Sequence, residues 1–78
     1  MPTYFFVWTD ETVDHVAQHG VSPDEFEHIV QDPESNGISK STGRPFAVGV
    51  LEDGREILCV YEFIDDCTIE PITAYELD

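Results

Sequence analysis

All three basic residues of this 78-residue chain are close together in the sequence: Lys40, Arg44 and Arg55 fall in or just after residues 37–50. That window, "GISKSTGRPFAVGV", contains no acidic residue, although the whole chain contains seventeen and has a net charge of −14. Cationic side chains in a turn rich in Ser, Thr and Gly are typical of phosphate-binding segments, because the amides and hydroxyls also donate to phosphate. Lys40 and Arg44 are therefore candidate phosphate-binding residues.

Arg55 is expected at the opposite end of the same strand pair from Arg44. At ~3.3 Å of rise per residue, the two arginines lie roughly 25 Å apart. They therefore cannot hold one phosphate together. The alternative to an anion site is that Arg44 is an ordinary turn residue and Arg55 a solvated hairpin residue.

Two histidines have the spacing of a metal-binding pair. His15 and His19 are four residues apart in the first predicted helix, so they share one side of it. A zinc site needs a third ligand, and His28 belongs to the other predicted helix. We predict no metal site and interpret the first two histidines as partly buried packing and capping residues. No cofactor is predicted either, because "STGRP" lacks the spacing and lysine of a phosphate-binding loop.

The two cysteines, Cys59 and Cys67, are predicted to be free thiols in a reducing cytoplasm. The expected strand pairing separates them by roughly 16 Å, at ~3.3 Å per residue, whereas a disulfide needs Cα atoms within about 7 Å. Cys59 falls in the middle of a strand on the core face, where a thiol behaves as a small hydrophobic side chain. A nucleophilic cysteine is not predicted.

The charge limits which partners the protein can have. A net charge of −14 repels nucleic acids and anionic membranes and attracts basic proteins, although it also serves solubility. A hydrophobic content of 41% argues for one folded domain, residues 1–78, instead of a disordered acidic tail. The apolar run "YFFVW" is too short to span a membrane.

Capping signals predict two helices after a short first strand at Thr3 to Trp8. The first helix starts at Thr9 or Asp10 and stops at Gly20. The second has Ser22 as its N-cap, Pro23 in its first turn and Glu25 completing a capping box, and it ends at Pro33.

After Pro33 the apolar residues alternate, which predicts strands. Residues 37–41 are a weak strand candidate, and "FAVGVL" and "EILCVYEFI" are strong ones joined by a two-residue turn at Asp53-Gly54. "TIEPITAY" is the last strand, in which Pro71 indicates an edge or a bulge. The two-residue turn pairs Val50 with Ile57, Val48 with Cys59 and Phe46 with Tyr61, and this face is expected to lie on the helices.

The opposite face of that hairpin is predicted to be an interface. It is less polar than a solvated face, with glutamates only at its margins. Its expected members are Ala47, Gly49, Leu51, Leu58 and Val60. The predicted fold is α+β, in the order β-α-α-β-β-β(β), with both helices on one face of an antiparallel sheet.

Two long segments resemble the BrnT-type toxin family. "FVWTDETVDHVAQHGVSPDEFEHIV" is similar to the family's opening, in which an aromatic strand ending in Trp leads to a helix, "HGVS" and an acidic helix. "GRPFAVGVLEDGREILCVYE" followed by "PITAYE" is similar to its later half, with two Gly-Arg turns, a Val-Tyr strand and a strand of the "ISAR" kind. The family's Arg after "ISA" is matched here by Tyr75.

The resemblance implies a RelE-like ribonuclease fold acting as the toxin of a toxin–antitoxin pair, with a small DNA-binding antitoxin as partner and RNA as substrate. It carries catalytic candidates onto Arg44 and Arg55, the Gly-Arg positions, and onto Tyr61 and Glu62 in the Val-Tyr strand. The alternative hypothesis, based on the charge and the semi-apolar sheet face, is a non-catalytic interaction module on the same scaffold. Such a module would form a homodimer or bind a basic protein.

Overall fold

The structure is a computed structural model that describes residues 4–77, which form two helices and five strands. The sheet order is β1-β5-β4-β3-β2, and β1 runs parallel to β5 while the other neighbours are antiparallel. The α+β class is confirmed, whereas the expectation of a purely antiparallel sheet is wrong; Thr3, the expected start of the first strand, lies outside the described residues. The elements are β1 (Phe5–Phe6), α1 (Asp10–Ala17), α2 (Pro23–Gln31), β2 (Ser35–Ile38), β3 (Pro45–Val50), β4 (Glu56–Phe63) and β5 (Thr68–Leu77).

Pro71 explains why β1 is so short. The amide of Phe5 donates to the carbonyl of Cys67 at 2.8 Å, and the amide of Val7 donates to that of Ile69 at 2.9 Å. In this parallel ladder the next donor from β5 would be residue 71, and proline has no N–H. The chain therefore leaves the sheet and enters α1. A bulge between Val60 and Tyr61 opposite this position confirms the irregularity predicted at Pro71.

Both helices begin at side-chain caps. Thr9 caps α1 by accepting from the amide of Thr12 at 3.1 Å. Ser22 and Glu25 form the predicted capping box of α2, with Pro23 in its first turn. These bonds satisfy amides that the first helical turn leaves without partners. The buried residues of α2 are Phe26, Ile29 and Val30, as its apolar periodicity predicts.

The β3–β4 connection differs from the prediction and changes the sheet surface. The amide of Leu51 donates to the carbonyl of Arg55 at 2.8 Å, so the loop has three residues, and its last one, Gly54, has a φ of +92°. Three-residue hairpin loops place a glycine at this left-handed position. Ala47 therefore pairs with Cys59, and the predicted pairing through a two-residue turn is wrong.

A register change of one residue turns a strand over, because successive side chains point to opposite faces. Ala47, Gly49 and Leu51 are buried under the helices, so their predicted place on the outer interface is wrong. Leu58 and Val60 lie on the outer face, as expected from their alternation with core residues of β4. The core between helices and sheet consists of Val16, Val21, Phe26, Ile29, Val30, Ala47, Leu51, Ile57, Cys59, Tyr61, Ile69 and Ala74.

Candidate functional site

A groove of about 320 Å³ crosses the sheet face that carries no helix, and we call it the outer groove. Its side chains are of two kinds: hydroxyl and guanidinium groups, mostly from the turn between β2 and β3, and apolar groups from the strands. None of these lining residues is acidic, in a chain with seventeen carboxylate side chains. The lining residues are Ser39, Ser41, Thr42, Arg44, Phe46, Leu58, Val60, Ile72, Thr73 and Tyr75.

The turn that supplies the polar side chains is held by its own hydrogen bonds. The amide of Ser39 donates to the carbonyl of Arg44, and the amide of Gly43 donates to that of Ser39, each at 2.8 Å. Gly43 has a φ of +73°, which a residue with a side chain adopts only with strain. The hydroxyls of Ser39 and Ser41 are 3.2 Å apart, and the amide of Arg44 donates to Thr42 Oγ1 at 3.3 Å. The turn therefore places several hydroxyls beside one arginine.

Arg44 is fixed at one nitrogen only. Its Nε donates to Glu62 Oε1 at 2.9 Å, and both side chains are a little under half exposed. Within residues 4–77 its terminal Nη nitrogens have no hydrogen-bond partner. A guanidinium has five N–H donors, so Glu62 orients the group and leaves the outer end of the fork available.

Arg55 has a structural environment and does not line the groove. Its Nε donates to Asp53 Oδ2 at 2.7 Å, its Nη2 donates to the carbonyl of Gly20 at 3.0 Å, and its Nη1 lies 3.9 Å from Glu76 Oε1. The hydrogen bond that its guanidinium donates to Asp53 raises the pKa of Arg55. The backbone N–H of Arg55 and then its guanidinium lower the pKa of Asp53. Arg55 thus joins the β3–β4 loop to the loop between the helices.

Of the four residues that the resemblance marks as catalytic, the structure brings only Arg44 and Glu62 into contact. Tyr61 is 7% exposed and belongs to the core on the helix side of the sheet, where burial raises the pKa of its phenol. Arg55 lies at the other end of the β3–β4 pair. Lys40, the second phosphate-binding candidate, is exposed in the turn and is not part of the groove lining.

No histidine or cysteine is among the residues that line the groove, although His15 contacts the lining residue Thr73. His15 and His19 are exposed, with ring centroids 5.8 Å apart, so the expectation of partial burial is wrong; His15 Nε2 lies 2.9 Å from Thr73 Oγ1. In the part of the chain that the structure describes, no three His, Cys, Asp or Glu side chains are grouped to hold a metal ion. Cys59 is buried and Cys67 exposed, and both are free thiols as predicted. Burial raises the pKa of Cys59 to about 12.

A second cavity, of about 540 Å³, lies between α2 and the β3–β4 loop. It is lined by acidic residues of both elements, together with His28, Val50 and Leu51. Its carboxylates add to the negative field around the sheet. They are Asp24, Glu25, Glu52 and Asp53.

Sequence reasoning found part of the apolar lining of the groove, because it placed Leu58 and Val60 on the outer face. A two-residue turn places Phe46 on the core face, whereas the structure places Phe46, Ile72 and Tyr75 in the groove lining. The available signal was the acid-free run from residue 35 to residue 51, which supplies the whole turn and the adjacent strand.

The helices within residues 4–77 are all too short or too polar to cross a membrane. Comparisons of the chain with protein-family models, with curated proteins and with solved structures gave no match.

Proposed function

We propose that this chain is an acidic protein-interaction module that holds a small basic protein on the sheet face opposite the helices. In this proposal it is the BrnT-like component of a toxin–antitoxin pair in the cytoplasm, and its basic partner is a small DNA-binding antitoxin. The observation that carries the proposal is the uncovered apolar surface of the sheet. Tyr75 is 41% exposed and lines the outer groove with Phe46, Leu58 and Val60, and Val50, at the end of β3, is 44% exposed.

Charges at the margin of this surface favour a basic partner. Glu62 and Glu70 lie directly opposite each other in the β4–β5 pair, and Glu56 lies at the other end of β4. Like charges in opposed positions destabilise a sheet. Arg44 bonds to Glu62 at 2.9 Å and offsets part of that repulsion, and a lysine or arginine that a partner places beside Glu70 offsets the rest. The apolar centre supplies most of the binding energy.

The net charge of −14 extends this preference beyond the contact surface. A field of this sign accelerates encounter with a cationic protein and slows encounter with nucleic acid. The same field opposes a homodimer through this face at low salt, because two acidic margins would meet.

Co-expression with the product of the adjacent open reading frame, followed by purification through a tag on that product, tests the proposal. Leu58→Glu places a charge in the centre of the surface and is expected to reduce binding by tenfold or more, or about 1.4 kcal/mol. Ala17→Glu is the matched control, because it adds the same charge at an exposed position of α1. Equal binding of the two variants would exclude this face as the interface.

The salt dependence of association separates the occupants of the face. Binding of a basic partner weakens as salt rises, whereas a homodimer tightens because salt screens its repelling margins. Light scattering across a salt series, with and without the partner, measures both. A protein that is monomeric at every salt concentration and binds no adjacent gene product would contradict the proposal.

Ribonuclease activity is the second candidate function, and one observation favours it. Arg44 and Tyr75 line the same groove, which brings a cation that stabilises phosphate charge together with a phenol. If the activity exists, inducing the wild type slows growth and Arg44→Ala relieves the effect, while Lys40→Ala does not. Equal growth inhibition by all three proteins would remove Arg44 from the mechanism.

A further inference from the structure

We propose that the outer groove binds the C-terminal carboxylate of an extended, apolar segment of the partner. This inference rests on the proposed function, because it assigns one part of the partner to one part of the same face. It identifies the ligand by its chemistry: a single negative charge at the end of an apolar peptide.

The local charge of the groove is opposite in character to that of the whole protein. The chain has a net charge of −14, yet none of the residues that line the groove is acidic and one is an arginine. The carboxylate of Glu62 contacts the lining residue Arg44 at 2.9 Å, so its charge is matched. An anion that enters this groove therefore contacts Arg44 directly, and no acidic residue lines the groove to repel it.

Arg44 has the geometry to receive a carboxylate. Glu62 accepts from its Nε, which leaves the two Nη groups without a partner within the described residues. A guanidinium binds the two oxygens of a carboxylate with parallel N–H donors, and such charge-assisted bonds are stronger than neutral ones. The hydroxyls of Ser41 and Thr42 in the adjoining turn provide further donors.

The apolar lining selects the rest of the ligand. Phe46, Leu58, Val60 and Ile72 form a surface for one or two apolar side chains, and a volume of about 320 Å³ is at the lower end of the range for small-ligand pockets. A nucleic acid is disfavoured, because it adds a charge with every nucleotide to a strongly acidic protein that offers one arginine here. A C-terminal carboxylate brings a single negative charge, which the one arginine of the groove can neutralise.

Titration with N-acetyl-leucyl-phenylalanine, followed by amide chemical shifts in NMR spectra, tests the proposal directly. Its C-terminal amide is the control, since the amide has the same apolar groups and no charge. The acid is expected to bind with a millimolar Kd. Its affinity should be about tenfold or more above that of the amide, because only the acid forms a charge-assisted hydrogen bond with Arg44. Shifts are expected in the β2–β3 turn and at Leu58. Equal binding of acid and amide, or no binding of the acid, would overturn the proposal.

Variants locate the charge that is responsible. Arg44→Gln should abolish the preference for the acid, and Lys40→Gln, which removes the same charge outside the lining, should keep it. The double variant Arg44→Gln with Glu62→Gln must also lose the preference, because otherwise repulsion by the exposed Glu62 would account for the first result. Inorganic phosphate should not displace the peptide; displacement would make the groove a phosphate site instead.

The two proposals fail in different experiments. If acid and amide bind alike while Leu58→Glu still releases the partner, the groove holds an apolar segment without its carboxylate, and the proposed function stands. If Leu58→Glu releases nothing, the face itself is not the interface.

Discussion

The backbone of Gly49 in β3 packs directly against the side chain of Ile29 in α2. A Cβ atom built on Gly49 would lie 3.0 Å from Ile29 Cγ1 and 3.1 Å from Cγ2. Both residues are buried, and a side chain at position 49 would force Ile29 to move by a few tenths of an ångström. Gly49 therefore sets the distance between the second helix and the sheet.

Gly49→Val is expected to destabilise the fold by about 1–3 kcal/mol, because extra methyl groups in a packed core force side chains or backbone to shift. Urea denaturation measures the loss. Val50→Thr is the control, since Val50 is 44% exposed on the opposite face and surface substitutions usually stay within about 0.5 kcal/mol. If Gly49 were on the outer face, valine would be neutral or stabilising, as valine favours strands.

The error that placed Gly49 outside has a local physical origin. The pair Asp53-Gly54 is compatible with a two-residue turn and with a three-residue loop that ends in a left-handed glycine, and sequence alone does not choose between them. Burial of Ala47 and Gly49 decides it, because small residues let α2 approach the sheet. Helix starts were predictable since Ser22, Pro23 and Glu25 act within one turn. Strand register was not, since it depends on packing across the whole layer.

Phe26 provides a test of the helix–sheet core. It is fully buried in α2, and its ring packs edge-on against Trp8 with centroids 5.3 Å apart. Phe26→Ala is expected to cost about 3–5 kcal/mol, the range for aromatic truncation in a core. A loss below about 1 kcal/mol in urea denaturation would contradict the packing of α2 described above.

The two thiols are expected to differ sharply in reactivity. Cys67 is exposed, whereas Cys59 is 0% exposed and burial raises its pKa to about 12. Since the thiolate is the reactive species, iodoacetamide at mildly alkaline pH should label one cysteine in the native protein and both in denaturant. Mass spectrometry identifies the site. Cys67→Ser should abolish native labelling, and rapid native labelling of Cys59 would show that the core opens.

The candidate site was predictable in part, and the reason lies in how each residue is positioned. Arg44 is predictable as a site residue because its turn is one continuous segment of the sequence that contains no acidic residue. Its contact with Glu62 joins residues eighteen positions apart and depends on the β3–β4 register. Arg55 was marked by the same Gly-Arg pattern, yet the three-residue loop directs it to Asp53 and to the carbonyl of Gly20. A pattern of residue types therefore does not show whether a charge is used within the fold.

The Asp53–Arg55 pair predicts how stability depends on pH. The pKa of Asp53 is lowered from 3.8 in the folded protein, chiefly by the backbone N–H of Arg55 and then by its guanidinium. Its ionised form therefore stabilises the fold fully above the unfolded value of 3.8, and this stabilisation is lost as pH falls through the lower folded value. Asp53→Asn should be less stable than wild type at neutral pH, and the two should converge in acid.

Urea midpoints of the two proteins across a pH series measure this difference, and the other carboxylates cancel because both proteins contain them. Asp65→Asn is the control, because the pKa of Asp65 is lowered mainly by the backbone N–H of Cys67, and within residues 4–77 its carboxylate has no ion pair. Added salt should therefore shrink the effect of Asp53→Asn more than that of Asp65→Asn, since screening weakens an exposed ion pair most. A difference between wild type and Asp53→Asn that grows as pH falls would show that Asp53 does not stabilise the fold through its charge.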